Sequence, residues 1–244
     1  MQLSKISNII DCLKVYNFKK KDNSFNFIST HTRYIKKSSI FAVDKNSKFK
    51  KKYIDEAISK GAIALITNYH FKSYKLPQFV VKNVKESLKK ILFNLLKFSP
   101  KNAVGITGTN GKTSVVWNIS SILYFNNIKV RMYGTLGYYK DLKKIRDSYL
   151  TTPEYEILYQ NSHSRNYNQR ENFIFEVSSH SISQSRIKNF PINIAEKNII
   201  NLLSLKLDHQ EIWLGGQGIF KIKVTDDSLL LFATLTPSLC LYHL

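Results

Sequence analysis

The apolar residues of this chain fall into short runs that are separated by longer segments with helical spacing. Short apolar runs bounded by polar residues predict strands, and segments in which apolar positions recur every three or four residues predict helices. The predicted strands lie at 25–28, 39–43, 62–67, 79–81, 103–106, 129–133 and 172–177. The predicted helices lie at 3–16, 53–60, 84–98 and 114–125. Because the two kinds of element alternate, we expect an α/β fold with a mostly parallel sheet.

A Ser-Pro-Lys segment at 99–101 divides this pattern into two parts and is typical of a linker. We therefore expect residues 1–100 to form a small N-terminal α/β domain. Residues 101–244 are expected to form a second α/β domain with a mostly parallel sheet.

The composition is that of a globular protein, with 43% hydrophobic residues in a chain of 244. No apolar run approaches the roughly 20 residues that span a bilayer, and the first residues mix Lys and Asp among apolar side chains, unlike a secretory signal. The two cysteines, Cys12 and Cys240, lie far apart without metal-ligand spacing, which favours reduced thiols. We expect a cytoplasmic protein without membrane insertion.

A net charge of +20 raises the alternative of a nucleic-acid-binding module, since lysines neutralise phosphates. Only six of the 37 basic residues are Arg, however, and the lysines are scattered over many segments. Arg is the residue that recognises bases and phosphates with a planar fork. We interpret most lysines as solvated surface residues, and we expect no nucleic-acid partner.

A glycine-rich loop joins the predicted strand at 103–106 to the predicted helix at 114–125. It reads Val-Gly-Ile-Thr-Gly-Thr-Asn-Gly-Lys-Thr from Val104 to Thr113. Strand, glycine loop, Lys-Thr and helix form the layout of a phosphate-binding loop, in which the Lys reaches the β- and γ-phosphates and the Thr hydroxyl binds Mg²⁺. The strict Walker pattern is not met, because its first glycine would fall at Ile106.

Two further features follow the loop along the chain. Thr152 and Pro153 form a helix-start signal, with Thr152 as the N-cap. Glu176 lies at the end of an apolar strand, where an ionised carboxylate is costly unless it is paired or binds a metal. The carboxyl end of a strand in an open α/β sheet is also where ligands bind.

Together these segments resemble the Mur ligase family, and among its members the UDP-N-acetylmuramoyl-tripeptide synthetases. The loop at 105–113 matches the family's variant of the phosphate loop, and further matches follow in family order: Thr151-Thr152-Pro153, Glu176-Val177-Ser178-Ser179-His180, Gln184 and Arg186. The first hundred residues resemble the family's UDP-binding domain, with His31-Thr32-Arg33 where Asp-Ser-Arg is usual. The resemblance covers residues from about 25 to 195.

This resemblance implies an ATP-dependent ligase of peptidoglycan precursor synthesis. ATP would phosphorylate the terminal carboxylate of UDP-MurNAc-L-Ala-D-Glu, and the amine of diaminopimelate or lysine would attack the acyl phosphate. The implied catalytic residues are Lys112, Glu176 and His180, and the implied Mg²⁺ ligands are Thr113 and Glu176. The implied ATP-binding residues are Gly108, Thr109, Asn110, Gly111, Lys112, Thr113 and Ser114. The implied substrate-binding residues are Thr32, Asn46, Ser47, Lys48, Thr151, Thr152, Ser178, Gln184 and Arg186.

Each of these residues also has an ordinary structural interpretation. Thr152 could simply cap a helix, Ser178 could be a turn residue, and Arg186 could be a surface cation. His180 could be a hydrogen-bonded loop residue. Their order and spacing behind a phosphate loop favour the functional interpretation of the set.

The resemblance ends after Ala195. The family continues with Phe-Thr-Asn, Asp-His-Leu-Asp-Tyr-His and a carbamylated lysine, whereas this chain reads Glu-Lys-Asn-Ile-Ile-Asn at 196–201. Lys223 is the candidate for the carbamylated lysine, although a solvent-facing lysine is the ordinary alternative. We therefore expect residues 101–244 to form an incomplete P-loop-type central domain, divergent after about 195, without a C-terminal ligase domain. The activity of the chain is accordingly left open.

Two other functions remain as alternatives. A folylpolyglutamate-type synthetase shares the Gly-Thr-Asn-Gly-Lys loop, but the first domain and the Ser-Ser-His, Gln and Arg spacing argue against it. A basic remnant that binds a nucleotide or nucleic acid without ligase activity is the other alternative. The identity of the added amino acid and the oligomeric state cannot be read from the sequence.

Overall fold

The computed structural model describes residues 1–18, 23–45, 49–108 and 110–192, together with the backbone of 194–197, 203–214 and 219–234. The chain separates into two compact units. The first comprises Met1–Phe98 and His163–Asn168, and the second comprises Ser99–Ser162 and Gln169–Leu244. Each unit is built around a mostly parallel sheet, so the predicted α/β class is confirmed.

The first unit contains a five-stranded sheet in the order β1-β5-β4-β3-β2. Strands β2 to β5 run parallel, and β1 pairs with β5 in the antiparallel direction. Two helices accompany them, and Asn83 caps the second by accepting a hydrogen bond from the Glu86 N–H. The elements are β1 (Cys12–Tyr16), β2 (Phe27–Ser29), β3 (Ser39–Val43), α1 (Lys52–Ser59), β4 (Ala62–Thr67), β5 (Gln78–Val81) and α2 (Val84–Leu95).

The helix predicted over residues 3–16 is wrong. Leu3, Ile6 and Ile10 are buried at the helical spacing that suggested it, but only a 3₁₀ turn forms at Leu3–Lys5. From Cys12 onward the chain is a strand, because its backbone pairs with β5. The pairing of this segment with a strand distant in sequence therefore determined its structure, although the apolar spacing of residues 3–16 favours a helix.

The second unit contains a six-stranded sheet in the order β11-β6-β10-β7-β8-β9. The four strands β11, β6, β10 and β7 run parallel, and β8 and β9 extend the sheet in the antiparallel direction. A separate antiparallel pair is formed by β12 and β13. The elements are β6 (Ala103–Thr107), α3 (Lys112–Phe125), β7 (Val130–Gly134), β8 (Gly137–Lys140), β9 (Lys143–Arg146), α4 (Tyr155–Ser162), β10 (Asn172–Glu176), α5 (Ser179–Ser183), β11 (Ile194–Lys197), β12 (Leu203–Leu214) and β13 (Ile219–Thr234).

The β8–β9 hairpin occupies a charged stretch in which the sequence predicted no strand. Its two-residue turn, Asp141-Leu142, has positive φ at both positions, 48° and 59°. This is the turn geometry that hairpins favour, but Leu is not a residue that normally signals it. The hairpin pairs with β7 through its backbone, and Tyr139 of β8 also packs against the apolar cluster of the second unit.

Helix α3 packs its apolar side chains against the parallel sheet of the second unit. Val116, Ile119 and Leu123 are buried in one cluster with residues of β6, β7 and β10, which fixes the start of α3 beside the ends of these strands. Apolar burial of this kind contributes about 1.5–3 kcal/mol for each fully buried side chain. Among the described residues, no helix has both the length and the apolarity that a membrane crossing requires.

A buried ion cluster stabilises the second unit away from the phosphate loop. The Glu171 carboxylate is 6% exposed and contacts Arg131, while Lys140 Nζ lies 3.1 Å from its other oxygen. Burial raises the pKa of the Glu171 carboxyl, but hydrogen bonds and charges from Arg131 and Lys140 lower that pKa below its ordinary value overall. Arg131 also donates to the Asn161 carbonyl at 3.1 Å.

We predict that Glu171→Gln lowers the free energy of unfolding at neutral pH by about 2 kcal/mol, because two cations lose their charged acceptor. The folded-state pKa of Glu171 lies below its unfolded value. Its contribution is therefore present above the unfolded pKa, near ~4.3, and is lost as pH falls through the folded pKa. Denaturant unfolding at several pH values measures this difference.

The matched control is Asp147→Asn, which removes the exposed ion pair with Lys144 and is expected to leave stability unchanged. A Glu171→Gln difference that persists unchanged below the folded pKa would contradict the prediction.

Candidate functional site

The predicted phosphate loop has the backbone geometry that its glycines allow. Gly108 has φ of 140° and Gly111 has φ of 77°, which are left-handed values that side chains disfavour. Gly111 is the N-cap of α3, and Lys112, Thr113 and Ser114 form its first turn. The free N–H groups and the dipole at a helix start favour an anion such as phosphate. Asn110 is part of the same loop, whereas Thr109 lies outside the described residues.

Lys112 reaches back over its own loop. Its Nζ donates a hydrogen bond to the Gly108 carbonyl at 2.6 Å, so the ammonium group lies at the loop rather than in open solvent. The lysine is only partly exposed. This position places a positive charge beside the N–H groups of the α3 start.

Glu176 is the buried acidic group of the site, with an exposure of 1%. Its Oε1 accepts hydrogen bonds from the Thr113 hydroxyl at 3.0 Å and from the Thr135 N–H at 2.8 Å. Its Oε2 accepts one from the Thr135 hydroxyl at 3.1 Å. These three donors stabilise a carboxylate that would otherwise be costly to bury.

The sheet explains why Glu176 meets the phosphate loop. Strand β10 lies between β6 and β7 and runs parallel to both, with Glu176 opposite Ile106 in the register. The carboxyl ends of the three strands therefore coincide, and the loop after β6 and the turn after β7 both reach Glu176. Ligands in open α/β sheets bind at this edge.

Gly134 is required by the position of Glu176. A Cβ atom added at Gly134 would lie 2.1 Å from Glu176 Oε1, far inside van der Waals contact. Any side chain here would displace the carboxylate. Sequence reasoning did not identify Gly134 or Thr135 as site residues, although the Gly-Thr-Leu-Gly segment directly after a strand is a signal that could have been used.

Thr152 is not the N-cap that its sequence predicted, because α4 begins at Tyr155. Its hydroxyl instead donates to the Glu176 carbonyl at 2.7 Å and accepts from the Ser178 N–H at 2.9 Å, and the residue is 1% exposed. Thr152 thus connects the segment around residues 151–153 to the end of β10 by hydrogen bonds. Its neighbour Thr151 lies 3.2 Å from the Thr135 hydroxyl, between their Oγ1 atoms.

The other predicted substrate residues of the second unit lie close to Thr152. Arg186 donates to the Thr152 carbonyl at 2.8 Å and to the Gln184 side chain at 2.9 Å, so the three residues are connected. Ser178 caps α5 by accepting from the Ser181 N–H. His180 is exposed at the start of α5.

The remaining predicted residues lie elsewhere. In the first unit, Thr32 is 6% exposed, and its hydroxyl bonds to the Glu56 carboxylate. Asn46, Ser47 and Lys48 lie outside the described residues. Lys223 belongs to β13, whose side chains are also outside the described part of the chain.

Comparisons with known proteins show which family this chain is similar to. Residues 106–225 match the model of the Mur ligase middle domain, a match that runs past Ala195. The chain is 33% identical over 198 residues to the UDP-N-acetylmuramoyl-L-alanyl-D-glutamate–2,6-diaminopimelate ligase of Helicobacter hepaticus, a match that covers 80% of this chain and 41% of the relative. It is 32% identical over 187 residues to the enzyme of the same name from Clostridioides difficile, over 75% of this chain and 38% of the relative.

Among solved structures, a crystal structure of MurF from Acinetobacter baumannii matches 94% of this chain and 59% of its own, with a TM-score of 0.51 and 11% identity. At that identity the match supports the fold alone. The chain spans about two fifths of the length of the curated relatives described above.

Proposed function

Residues 106–225 belong to the Mur ligase middle-domain family, and on this basis we propose that the chain binds ATP and Mg²⁺ for a ligase reaction. The reaction would join an amino acid, diaminopimelate or lysine, to UDP-MurNAc-L-Ala-D-Glu through an acyl phosphate. Relatives named as diaminopimelate ligases support this choice of substrates. The observation that carries the proposal is the pairing of Thr113 and Glu176 at the start of α3.

The donor set of the site fits Mg²⁺. This ion favours hard oxygen ligands and is usually held by one or two carboxylates together with substrate phosphates and water. Glu176 and Thr113 supply a carboxylate and a hydroxyl. Among the described residues there is no group of three or more His, Cys, Asp or Glu that would bind a metal ion with protein ligands alone. When bound, the cation would offset negative charge on the transferring phosphoryl group.

Lys112 and the loop would hold the phosphates of ATP. The Gly108 carbonyl, which accepts from Lys112 at 2.6 Å, is a neutral acceptor. A negatively charged phosphate oxygen in its place would form a stronger hydrogen bond with the Lys112 ammonium. Lys112 and the N–H groups of α3 would thereby orient the γ-phosphate and stabilise charge that develops on it. Gly108, Thr109, Asn110, Gly111 and Ser114 complete the proposed ATP contacts.

The muramoyl-peptide would contact the segment that begins at Thr151. Arg186 is the cation of this group, and a guanidinium suits the carboxylates of a D-Glu-containing peptide. Thr152 is 1% exposed, and its hydroxyl bonds to the Glu176 carbonyl and the Ser178 N–H, so we assign it to holding the segment rather than to direct recognition. Ser178, Gln184 and exposed His180 stay in the proposed site.

The first unit would bind the uridine nucleotide, as its resemblance to the UDP-binding domain implies. Thr32 and the loop at 46–48 remain the predicted contacts. The Thr32 hydroxyl bonds to Glu56 and keeps acceptor capacity for a donor group of the nucleotide.

We predict that Lys112→Ala weakens binding of ATP with Mg²⁺ at least about tenfold, since a charged hydrogen bond to phosphate is lost. Isothermal titration calorimetry measures the affinity. The control is Lys129→Ala, which removes the same charge at an exposed position of the second unit and should leave the affinity unchanged. Equal affinities of Lys112→Ala and the unaltered chain would refute the phosphate-loop assignment.

We also predict that UDP-MurNAc-L-Ala-D-Glu raises the melting temperature, because a ligand at 100 times its Kd adds about 2.7 kcal/mol to stability. Arg186→Ala should lose most of this shift, whereas the nearby exposed variant Lys188→Ala should retain it. Differential scanning fluorimetry provides the comparison. A shift with polynucleotide and none with the UDP-dipeptide would instead favour the basic nucleic-acid-binding alternative.

A further inference from the structure

Thr135 makes more contacts with Glu176 than any residue that the sequence assigned to the site. It follows β7 directly and is exposed at the edge of the sheet. Its N–H donates to Oε1 at 2.8 Å and its hydroxyl donates to Oε2 at 3.1 Å, so both carboxylate oxygens are held by one residue. Thr113, by comparison, reaches Oε1 alone.

The direction of the hydrogen bonds can be worked out from the number of protons. The Thr135 hydroxyl is the donor to Glu176 Oε2, and a hydroxyl has a single proton, so that proton points to Glu176. The contact between the Thr135 and Thr151 hydroxyls, at 3.2 Å, must then use a proton of Thr151. The series therefore runs from Thr151 to Thr135 to Glu176.

We propose that Thr135 is a positioning residue that orients the Glu176 carboxylate for a divalent cation and fixes the hydroxyl of Thr151 as a hydrogen-bond acceptor. This inference rests on the proposed function, because it assigns a role toward the nucleotide-bound cation. Thr151 then presents only lone pairs to a substrate. The substrate group that it recognises is a donor, such as a peptide N–H or a sugar hydroxyl, and not a carboxylate.

The physical reason for such a residue is the freedom of the Glu176 side chain. Gly134 has no side chain to hold the carboxylate that lies against it, and a carboxylate bonded at one oxygen alone is free to turn about that bond. Two donors from Thr135 restrain both oxygens of Glu176, so the carboxylate loses little conformational entropy when the cation binds. Restraint before binding increases affinity without adding a contact to the ligand.

The test measures ADP affinity by calorimetry in Mg²⁺ and in EDTA for the complete chain and four variants. Thr135→Val keeps the shape and the N–H but removes the hydroxyl, and it should reduce the Mg²⁺-dependent gain in affinity about tenfold. Thr135→Ser keeps the hydroxyl and should stay within about twofold of the unaltered chain. The affinity for ADP in EDTA should be the same for the unaltered chain and for all four variants. A variant that had lost its fold would instead bind ADP more weakly in EDTA as well.

Thr151→Val and the double variant test the series itself. Thr151→Val alone should reduce the gain about twofold to threefold, and Thr135→Val with Thr151→Val should be no weaker than Thr135→Val alone. Such non-additivity is expected when one residue acts through another. Additive losses would overturn the series.

A Thr135→Val chain that retains the full Mg²⁺-dependent gain would overturn the positioning role while leaving the proposed function standing. If the unaltered chain binds ADP without any gain from Mg²⁺, the proposed metal site fails and this inference fails with it. The two failures are therefore distinguished by the unaltered chain.

Discussion

The buried carboxylate of Glu176 is the group on which the candidate site depends. A charge that is 1% exposed needs donors, and it receives them from the first turn of α3 and from the residue after β7. The backbone carbonyl of Glu176 accepts a hydrogen bond from the Thr152 hydroxyl, and the Thr152 carbonyl accepts one from the Arg186 guanidinium. Side chain and backbone of one residue thus connect the phosphate loop with the predicted peptide-binding segment.

The parallel sheet makes this connection possible. Because β10 lies between β6 and β7, segments that are far apart in sequence end at the same edge, and Gly134 leaves the space that the carboxylate occupies. In this chain the residues proposed to contact phosphate, metal and peptide therefore lie at three neighbouring strand ends. Fixed donors arranged before the substrate arrives are the means by which such sites stabilise developing charge.

Local patterns sufficed for part of this picture. The strand at Ala62–Thr67 and helix α3 were predictable because apolar runs and glycines act locally, although α3 begins at Lys112 and not at the predicted Ser114. The strand at Cys12–Tyr16 was not, since it exists through pairing with β5, which is distant in sequence. The β8–β9 hairpin was not, since its Asp141-Leu142 turn lacks the residues that usually signal a hairpin. Within the site, Glu176 could be predicted from the cost of burial. The bonds of Thr135 and Thr152 could not, because sequence spacing does not show which hydroxyl meets which acceptor.

The most direct test of this account is the position of a divalent cation in crystals of the chain grown with ADP and Mn²⁺, a substitute for Mg²⁺ with anomalous scattering. We predict an anomalous peak about 2.1 Å from a carboxylate oxygen of Glu176 and adjacent to the Thr113 hydroxyl, with ADP phosphates along the start of α3. Bound ADP with the cation elsewhere, or with none at Glu176, would contradict the central claim.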